Sequence, residues 1–199
     1  MSDDVNSGRR RLLTTVTTGV GLAGATALAV PLVASMKPSA RALAAGAPVE
    51  VDIEDLAPGQ MKVVEWRGKP VWILRRDDAM LKDLEKIAGE LSDPNSQVAE
   101  QQPAYAQNAT RSIRPDVLVV LGVCTHLGCA PTKSFEKGAP SGMGDDWVGG
   151  FFCPCHGSKF DLSGRVFKNV PAPTNLVVPP HSYVADNRIL IGVDEGGAA

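Results

Sequence analysis

Two short segments hold all four cysteines and two of the three histidines of this 199-residue chain. The first reads Cys124-Thr-His126-Leu-Gly-Cys129, and the second reads Cys153-Pro-Cys155-His156-Gly-Ser158. Thiolate and imidazole groups are the protein ligands that soft and borderline metals prefer. Because such clustering is hard to reach by chance, the two segments predict a metal site.

Two kinds of metal centre match these residue types. Each segment supplies one Cys–His pair and one further cysteine, and tight loops could bring both pairs to one centre. Two cysteines and two histidines are a common ligand set for structural zinc, but four ligands would leave the two further cysteines unexplained. In a two-iron, two-sulfur cluster of mixed ligation, one iron binds two cysteines and the other binds two histidines. The two further cysteines could then bond to each other. A pair of plain disulfides is a third alternative.

The two segments together resemble those of the Rieske iron–sulfur proteins. The match includes Gly128, Gly157 and the Pro154 between the cysteines of the second segment. The chain that follows resembles the respiratory members of the family over 157–161, over 163–165 and over the proline-containing stretch 171–176.

The resemblance implies a role for each residue of the two segments. It implies that one Rieske [2Fe–2S] cluster is held by four ligands, Cys124 and Cys153 on the inner iron and His126 and His156 on the outer iron. It also implies a disulfide between Cys129 and Cys155 that joins the two loops and requires an oxidising compartment.

Three further residues are expected to influence the cluster or its docking. Ser158 is placed to donate a hydrogen bond to a bridging sulfide. Many respiratory relatives have a tyrosine at the position of Phe160, whose hydroxyl donates to a ligand sulfur. Hydrogen bonds to cluster sulfurs raise the reduction potential, so Phe160 predicts a lower potential than in a tyrosine-bearing relative. Leu127 is expected at an exposed tip that packs against cytochrome b, or else shields the cluster locally.

The N-terminal part of the chain has the pattern of an export signal and membrane anchor. Arg9, Arg10 and Arg11 precede 12–36, a stretch of 25 residues without a charge. At ~1.5 Å per residue a helix of this length spans about 37 Å, and the hydrocarbon core of a bilayer is roughly 30 Å thick. Paired arginines before a mildly apolar stretch resemble a twin-arginine signal.

This pattern predicts a single-pass protein of the bacterial inner membrane. The positive-inside rule places the N-terminus in the cytoplasm and the remaining chain on the periplasmic side. A cleaved signal peptide is the alternative, because 42–44 offers an Ala-x-Ala site. The apolar stretch is longer than the usual ~7–15 residues of a signal peptide, which favours an uncleaved anchor.

The remaining chain predicts a mainly β domain. We expect a cytoplasmic N-terminus at 1–11, the anchor at 12–36, a flexible tether at 37–48 and a Rieske domain at 49–199. The strand predictions are 49–53, 61–66, 71–75, 117–123, 151–152, 176–178, 183–185 and 189–193, and a helix is predicted at about 79–88. The resemblance implies a Rieske fold of stacked antiparallel sheets with a small cluster-binding subdomain at about 122–175.

The resemblance implies an electron-transfer subunit of a quinol–cytochrome c oxidoreductase, the cytochrome bc complex. Its cluster would take one electron and a coupled proton from quinol at the cytochrome b subunit and pass the electron to the c-type cytochrome subunit. His156 would face the quinol, and His126 would share the redox-linked protonation. Complexes of this family are dimers. The net charge is −2 and the one dense basic run is N-terminal, so nothing indicates nucleic-acid binding.

Other Rieske proteins are the main alternatives. Rieske ferredoxins and oxygenase components share the ligand pattern but typically lack the second cysteine pair and the anchor. Oxygenases also carry a mononuclear iron site, and His181 is the only histidine left to build one. The exported Rieske subunit of another oxidoreductase, such as arsenite oxidase, is separated less clearly. A zinc module remains the alternative without redox activity.

Overall fold

Helix α1 occupies Ser7–Ser35 of a computed structural model that describes residues 6–194 and 197–198. The helix begins before the uncharged stretch because the Asn6 side chain accepts a hydrogen bond from the Arg9 backbone N–H and caps it. Pro31 lies within the helix, and none of its residues is buried. A short second helix, α2, covers Ala40–Ala45, so the stretch predicted as a tether is helical over six residues.

The N-terminal region contains one helical candidate for a membrane span among the described residues. It covers Ser7–Ala44 and is long and apolar enough to cross a bilayer. The chain divides into two compact units between Ala44 and Ala45. The second unit contains both cysteine segments.

Short antiparallel strands make up most of the second unit. The strands are β1 (Val49–Asp52), β2 (Met61–Trp66), β3 (Lys69–Arg75), β4 (Val117–Leu121), β5 (Thr132–Ser134), β6 (Gly150–Cys153), β7 (Ser158–Phe160), β8 (His181–Ala185), β9 (Arg188–Ile191), β10 (Val193–Asp194) and β11 (Gly197–Ala198). They form three sheets of three strands, with orders β1-β9-β8, β2-β3-β4 and β5-β6-β7, and the pair β10-β11.

The sheet β2-β3-β4 is the middle layer of the unit. Successive side chains of a strand point to opposite faces. On one face Ile73 and Val119 pack with Ile189 of the β1-β9-β8 sheet. On the other face Trp72 and Val120 pack in a core that contains Phe151, Phe160, Cys124 and Cys153. Burial on both faces explains why every residue of β4 is apolar. The mainly β prediction of stacked antiparallel sheets is confirmed.

One helix packs on this core. Helix α3 covers Asp78–Lys86, and its N-cap residue Asp77 accepts a hydrogen bond from the Met80 backbone N–H at 2.7 Å. Met80 and Leu84 are its buried apolar residues. The helix predicted near 79–88 is therefore present, and a 3₁₀ turn at Ala88–Glu90 follows it.

The strand prediction at 176–178 is wrong. This segment is extended and its Leu176 and Val178 are buried, but its backbone bonds to three separate partners. Leu176 N–H donates to Gly164, Val178 N–H donates to Gln101, and the Val177 carbonyl accepts from Leu121. Scattered partners satisfy the backbone without a sheet ladder, and the apolar pattern alone cannot distinguish the two cases.

Gly150 has no room for a side chain. A Cβ at this position would overlap the Phe160 carbonyl oxygen and lie 3.0 Å from the Trp147 ring. We expect Gly150→Ala to lower the free energy of unfolding by about 3 kcal/mol, because backbone of β6 and β7 must separate. Chemical denaturation measures this change. Gly89→Ala is the control and should have little effect, because its Cβ would contact nothing within 4 Å. A Gly150→Ala variant as stable as the parent protein would contradict the prediction.

Candidate metal centre

The two cysteine segments form loops of the same construction. Cys124 follows the buried strand β4, and Cys153 ends strand β6. In each loop the glycine four residues later donates its backbone N–H to the cysteine carbonyl, Gly128 to Cys124 at 3.0 Å and Gly157 to Cys153 at 2.9 Å. Both glycines have positive φ, 81° and 80°, which explains why glycine occurs at both positions.

The loops bring the two free cysteines together. Cys124 and Cys153 are both buried and neither is in a disulfide. Burial raises the pKa of the Cys124 thiol, and the adjacent Cys153 thiol acts in the same direction, while the His126 backbone and the Ser158 hydroxyl oppose it. Two buried thiols in contact suit a metal centre, because a bound cation stabilises both as thiolates.

The two segment histidines also face each other. The ring centroids of His126 and His156 are 4.8 Å apart and the rings are nearly perpendicular. His156 is exposed, whereas the Nδ1 atom of His126 is buried and has no hydrogen-bond partner among the described residues. A buried ring nitrogen without a partner is costly unless it binds something, so His126 is suited to be a metal ligand.

The remaining cysteines form the disulfide that the resemblance implied. Cys129 and Cys155 are bonded to each other, with their Cα atoms 6.7 Å apart. The sulfur atoms of Cys129, Cys153 and Cys155 all lie within 4.8 Å of one another. Since two of these three sulfurs are joined, this group shows that the disulfide lies beside the free Cys153 thiol. It does not supply three ligands.

A third loop covers the site. The Thr125 hydroxyl donates to the Thr174 carbonyl at 2.7 Å, and the Ala172 N–H donates to the Ser158 hydroxyl oxygen at 3.0 Å. These bonds fix the proline-containing stretch to both cysteine loops. Ser158 is fully buried and Phe160 lies in the core, while Leu127 is 72% exposed at the tip of the first loop.

The structure keeps His181 away from these loops. It lies in strand β8, and its Nδ1 atom is 2.8 Å from the Pro179 carbonyl oxygen. Two buried thiols, a buried unpartnered imidazole nitrogen and a facing exposed imidazole thus form the donor set. This set fits a cluster with two cysteine and two histidine ligands.

Sequence reasoning missed a group of buried charges next to this region. Arg76, Arg111, Arg165 and Asp161 are each at most 2% exposed. Arginine and aspartate are almost never fully buried unless paired, so their residue types gave no signal of burial. Their burial is visible only in three dimensions, because their hydrogen-bond acceptors come from distant segments such as Leu84, Pro94 and Thr110.

A family model described as "Rieske [2Fe-2S] domain" matches residues 48–180. Together with the fold and the donor set, this match defines the class: a Rieske protein, whose cofactor is a [2Fe–2S] cluster. A second model, "Ubiquitinol-cytochrome C reductase Fe-S subunit TAT signal", matches residues 1–39.

Three relatives described as "Ubiquinol-cytochrome c reductase iron-sulfur subunit" define the particular kind. The relative from Allochromatium vinosum is 59% identical over 98% of this chain and 93% of its own length. Those from Blastochloris viridis and Bradyrhizobium diazoefficiens are 43% and 40% identical, over 96% and 92% of this chain and 96% and 94% of their own lengths. The chain belongs to the family of ubiquinol–cytochrome c reductase iron–sulfur subunits. Its apolar N-terminal helix and signal match fit a membrane-anchored bacterial member.

Removing the disulfide should destabilise the two loops. We expect the Cys129→Ser/Cys155→Ser double variant to lose about 2–4 kcal/mol of stability, because the bridge closes a long loop in the unfolded chain. Thermal unfolding of the oxidised proteins measures this loss. Dithiothreitol should lower the unfolding temperature of the parent protein but not that of the double variant. An equal decrease in both proteins would contradict the prediction.

Proposed function

We propose that this chain is the electron carrier of a ubiquinol–cytochrome c reductase, a cytochrome bc complex. It takes one electron and a coupled proton from quinol at the cytochrome b subunit and passes the electron to the c-type cytochrome subunit. The single observation that carries this proposal is the arrangement of the histidines. One imidazole is exposed and in contact with a second imidazole, and the two belong to the same loops as the two buried thiols.

The burial of the four residues supports the ligand assignment that the resemblance implies. Cys124 and Cys153, both buried, hold the inner iron, and His126 and His156, toward the surface, hold the outer iron. When bound, the cluster supplies a one-electron acceptor. A histidine that binds metal through one ring nitrogen keeps its other nitrogen for proton exchange. Exposed His156 therefore receives the quinol proton, and His126 shares the redox-linked protonation.

Docking uses the exposed tip of the first loop. Leu127 is a large apolar side chain that is 72% exposed, next to the two histidines. Its place on the same loop as the proposed ligand His126 supports a contact role for this side chain. Leu127 packs against the cytochrome b subunit when His156 faces the quinol.

The N-terminal region anchors the domain to the membrane. We assign 12–36 to a single span with 1–11 in the cytoplasm, 37–48 to the tether and 49–199 to a Rieske domain on the periplasmic side. The three arginines before the span support this orientation. The Rieske domain, with its cluster-binding subdomain at about 122–175, functions within a dimeric complex.

Purification of the complex from membranes tests the proposal. Gentle solubilisation should yield this chain with b- and c-type haems and with quinol–cytochrome c reductase activity. A His156→Ala variant should lose that activity and the normal cluster spectrum. His181→Gln, at the remaining histidine, is the matched control and should keep both. A His156→Ala protein with a normal cluster that still oxidises quinol would refute the proposed role.

Phe160 offers a way to change the potential. It is fully buried in the same core as Cys124 and Cys153. We expect Phe160→Tyr to raise the midpoint potential, because the added hydroxyl donates to a ligand sulfur and stabilises the reduced state. Protein-film voltammetry measures this shift. Phe160→Leu, which adds no donor, is the control; an unchanged or lower potential in Phe160→Tyr would contradict the idea.

A further inference from the structure

The protein interior next to the two cysteine loops contains more positively charged than negatively charged side chains. Asp161 is fully buried, and its carboxylate accepts from Arg165 Nε at 2.7 Å and from two backbone N–H groups. This pair is neutral overall. Arg76 and Arg111 are also buried, at 2% and 0% exposure, but no ion pair joins either of them to a carboxylate among the described residues.

Neutral oxygens accept the hydrogen bonds that the Nη atoms of these two guanidinium groups donate, and both Nε atoms are buried without a partner among the described residues. The acceptors of Arg76 are the Thr110 and Leu162 carbonyls and the Ser112 and Ser163 hydroxyls. Those of Arg111 are the carbonyls of Gln101, Ser163 and Gly164 and the side-chain oxygen of Gln102. Carbonyl dipoles hold a guanidinium without neutralising it. Two net positive charges therefore remain in the interior.

Both groups stay protonated at neutral pH. Burial lowers the pKa of Arg76 to about 10 and that of Arg111 to about 10, and Asp161 opposes this change in both cases. Asp116 also faces Arg76, and Asp93 faces Arg111. These two carboxylates are partly exposed, where the effective dielectric is higher than in the interior, so they offset the arginine charges only in part.

The segment that holds the buried arginines packs in the same core as the two free cysteines. Half of their acceptors lie on 162–164, just after strand β7, whose first residue Ser158 contacts the Cys124 thiol. A Cβ placed on Gly164 would lie 3.4 Å from Arg111 Nη1 and 3.4 Å from Val120 Cγ1. Val120 precedes Cys124 by four residues, and Leu162, Val120, Cys124 and Cys153 share one apolar core.

We propose that Arg76 and Arg111 are positioning residues that raise the reduction potential of the cluster by placing two uncompensated positive charges in the interior behind it. Reduction adds one electron and thus one negative charge to the cluster. Positive charge in a low-dielectric interior favours that state over the oxidised one. This inference rests on the cluster assigned above.

The arginines also link several loops, so the test must separate charge from structure. Midpoint potentials of the purified cluster-loaded full chain are measured by EPR-monitored redox titration. Arg76→Gln and Arg111→Gln should each lower the potential, whereas Arg111→Lys, which keeps the charge, should retain it. Asp161→Asn should raise the potential, because it removes a negative charge.

Two charge-matched controls complete the test. Asp161→Asn combined with Arg165→Met removes one charge of each sign and should leave the potential near that of the parent. Arg188→Met removes a cation that is 56% exposed at its side chain and should change nothing. The shifts should persist at high salt, because buried charges are screened little.

The opposite directions of the potential shifts in the arginine and aspartate variants distinguish an electrostatic effect from a structural disturbance. If the parent protein shows a normal cluster signal, unchanged potentials in Arg76→Gln and Arg111→Gln would overturn the proposal. A lower potential in Asp161→Asn would overturn it as well. Absence of any cluster signal in the parent would instead overturn the cluster assignment, and this proposal with it. A parent protein that shows the predicted shifts in potential among its variants but does not oxidise quinol would overturn the proposed function and not this proposal.

Discussion

A Cys153→Ser variant is expected to purify without a [2Fe–2S] cluster. Cys153 is one of two buried free cysteines, and its thiol contacts that of Cys124. Serine has a far higher pKa than cysteine and is a poor ligand in a buried site, so one iron would lose half of its protein ligands. Iron and acid-labile sulfide per chain, together with the visible spectrum, measure the loss.

The disulfide variant provides the matched control for this loss. The Cys129→Ser/Cys155→Ser protein removes two cysteines from the same loops but none of the proposed ligands. It should retain two irons per chain at reduced stability. Retention of the cluster in Cys153→Ser, with loss in the disulfide variant, would show that the ligand and bridge assignments are exchanged.

The second large effect is expected at Asp161. One carboxylate oxygen accepts from the Ser163 and Arg165 backbone N–H groups, and the other pairs with the Arg165 guanidinium at 2.7 Å. Asp161→Ala leaves that guanidinium buried without its partner, next to two further buried arginines. We expect the free energy of unfolding to fall by about 3–5 kcal/mol, as for other buried pairs broken on one side.

Denaturant unfolding measures this change, and an exposed pair provides the comparison. Asp55 contacts Lys62 at 2.7 Å, but its side chain is 77% exposed. Water screens such a pair, so Asp55→Ala should leave the unfolding midpoint almost unchanged. Equal effects of the two substitutions would mean that burial does not control the strength of the Asp161 pair.

The parts of the site that lie close in sequence could be predicted from it. Cys124 and His126 are held by one loop, and Cys153 and His156 by the other, so their spacing carries the information. The Cys129–Cys155 bridge came from resemblance, since ligand counting left zinc and disulfide alternatives open. Strand β4 was predicted, within the range 117–123, because every one of its residues is apolar.

The parts that depend on distant segments could not be predicted. Apolar residues at 176–178 indicated a strand, but the folded chain satisfies that backbone through Gly164, Gln101 and Leu121, which come from three separate places. Strand β5 was missed because Thr132–Ser134 is short and polar, and it exists through its pairing with β6. The buried arginines were missed because most of their acceptors lie on segments that are remote in sequence.

Mössbauer spectroscopy of the oxidised, ⁵⁷Fe-enriched protein tests the central claim most directly. The claim is that Cys124 and Cys153 bind one iron and His126 and His156 bind the other. Two irons with unlike ligands should give two quadrupole doublets of equal area, and one of them should change strongly on one-electron reduction. A single iron environment, or a protein that contains zinc and no iron, would contradict the account.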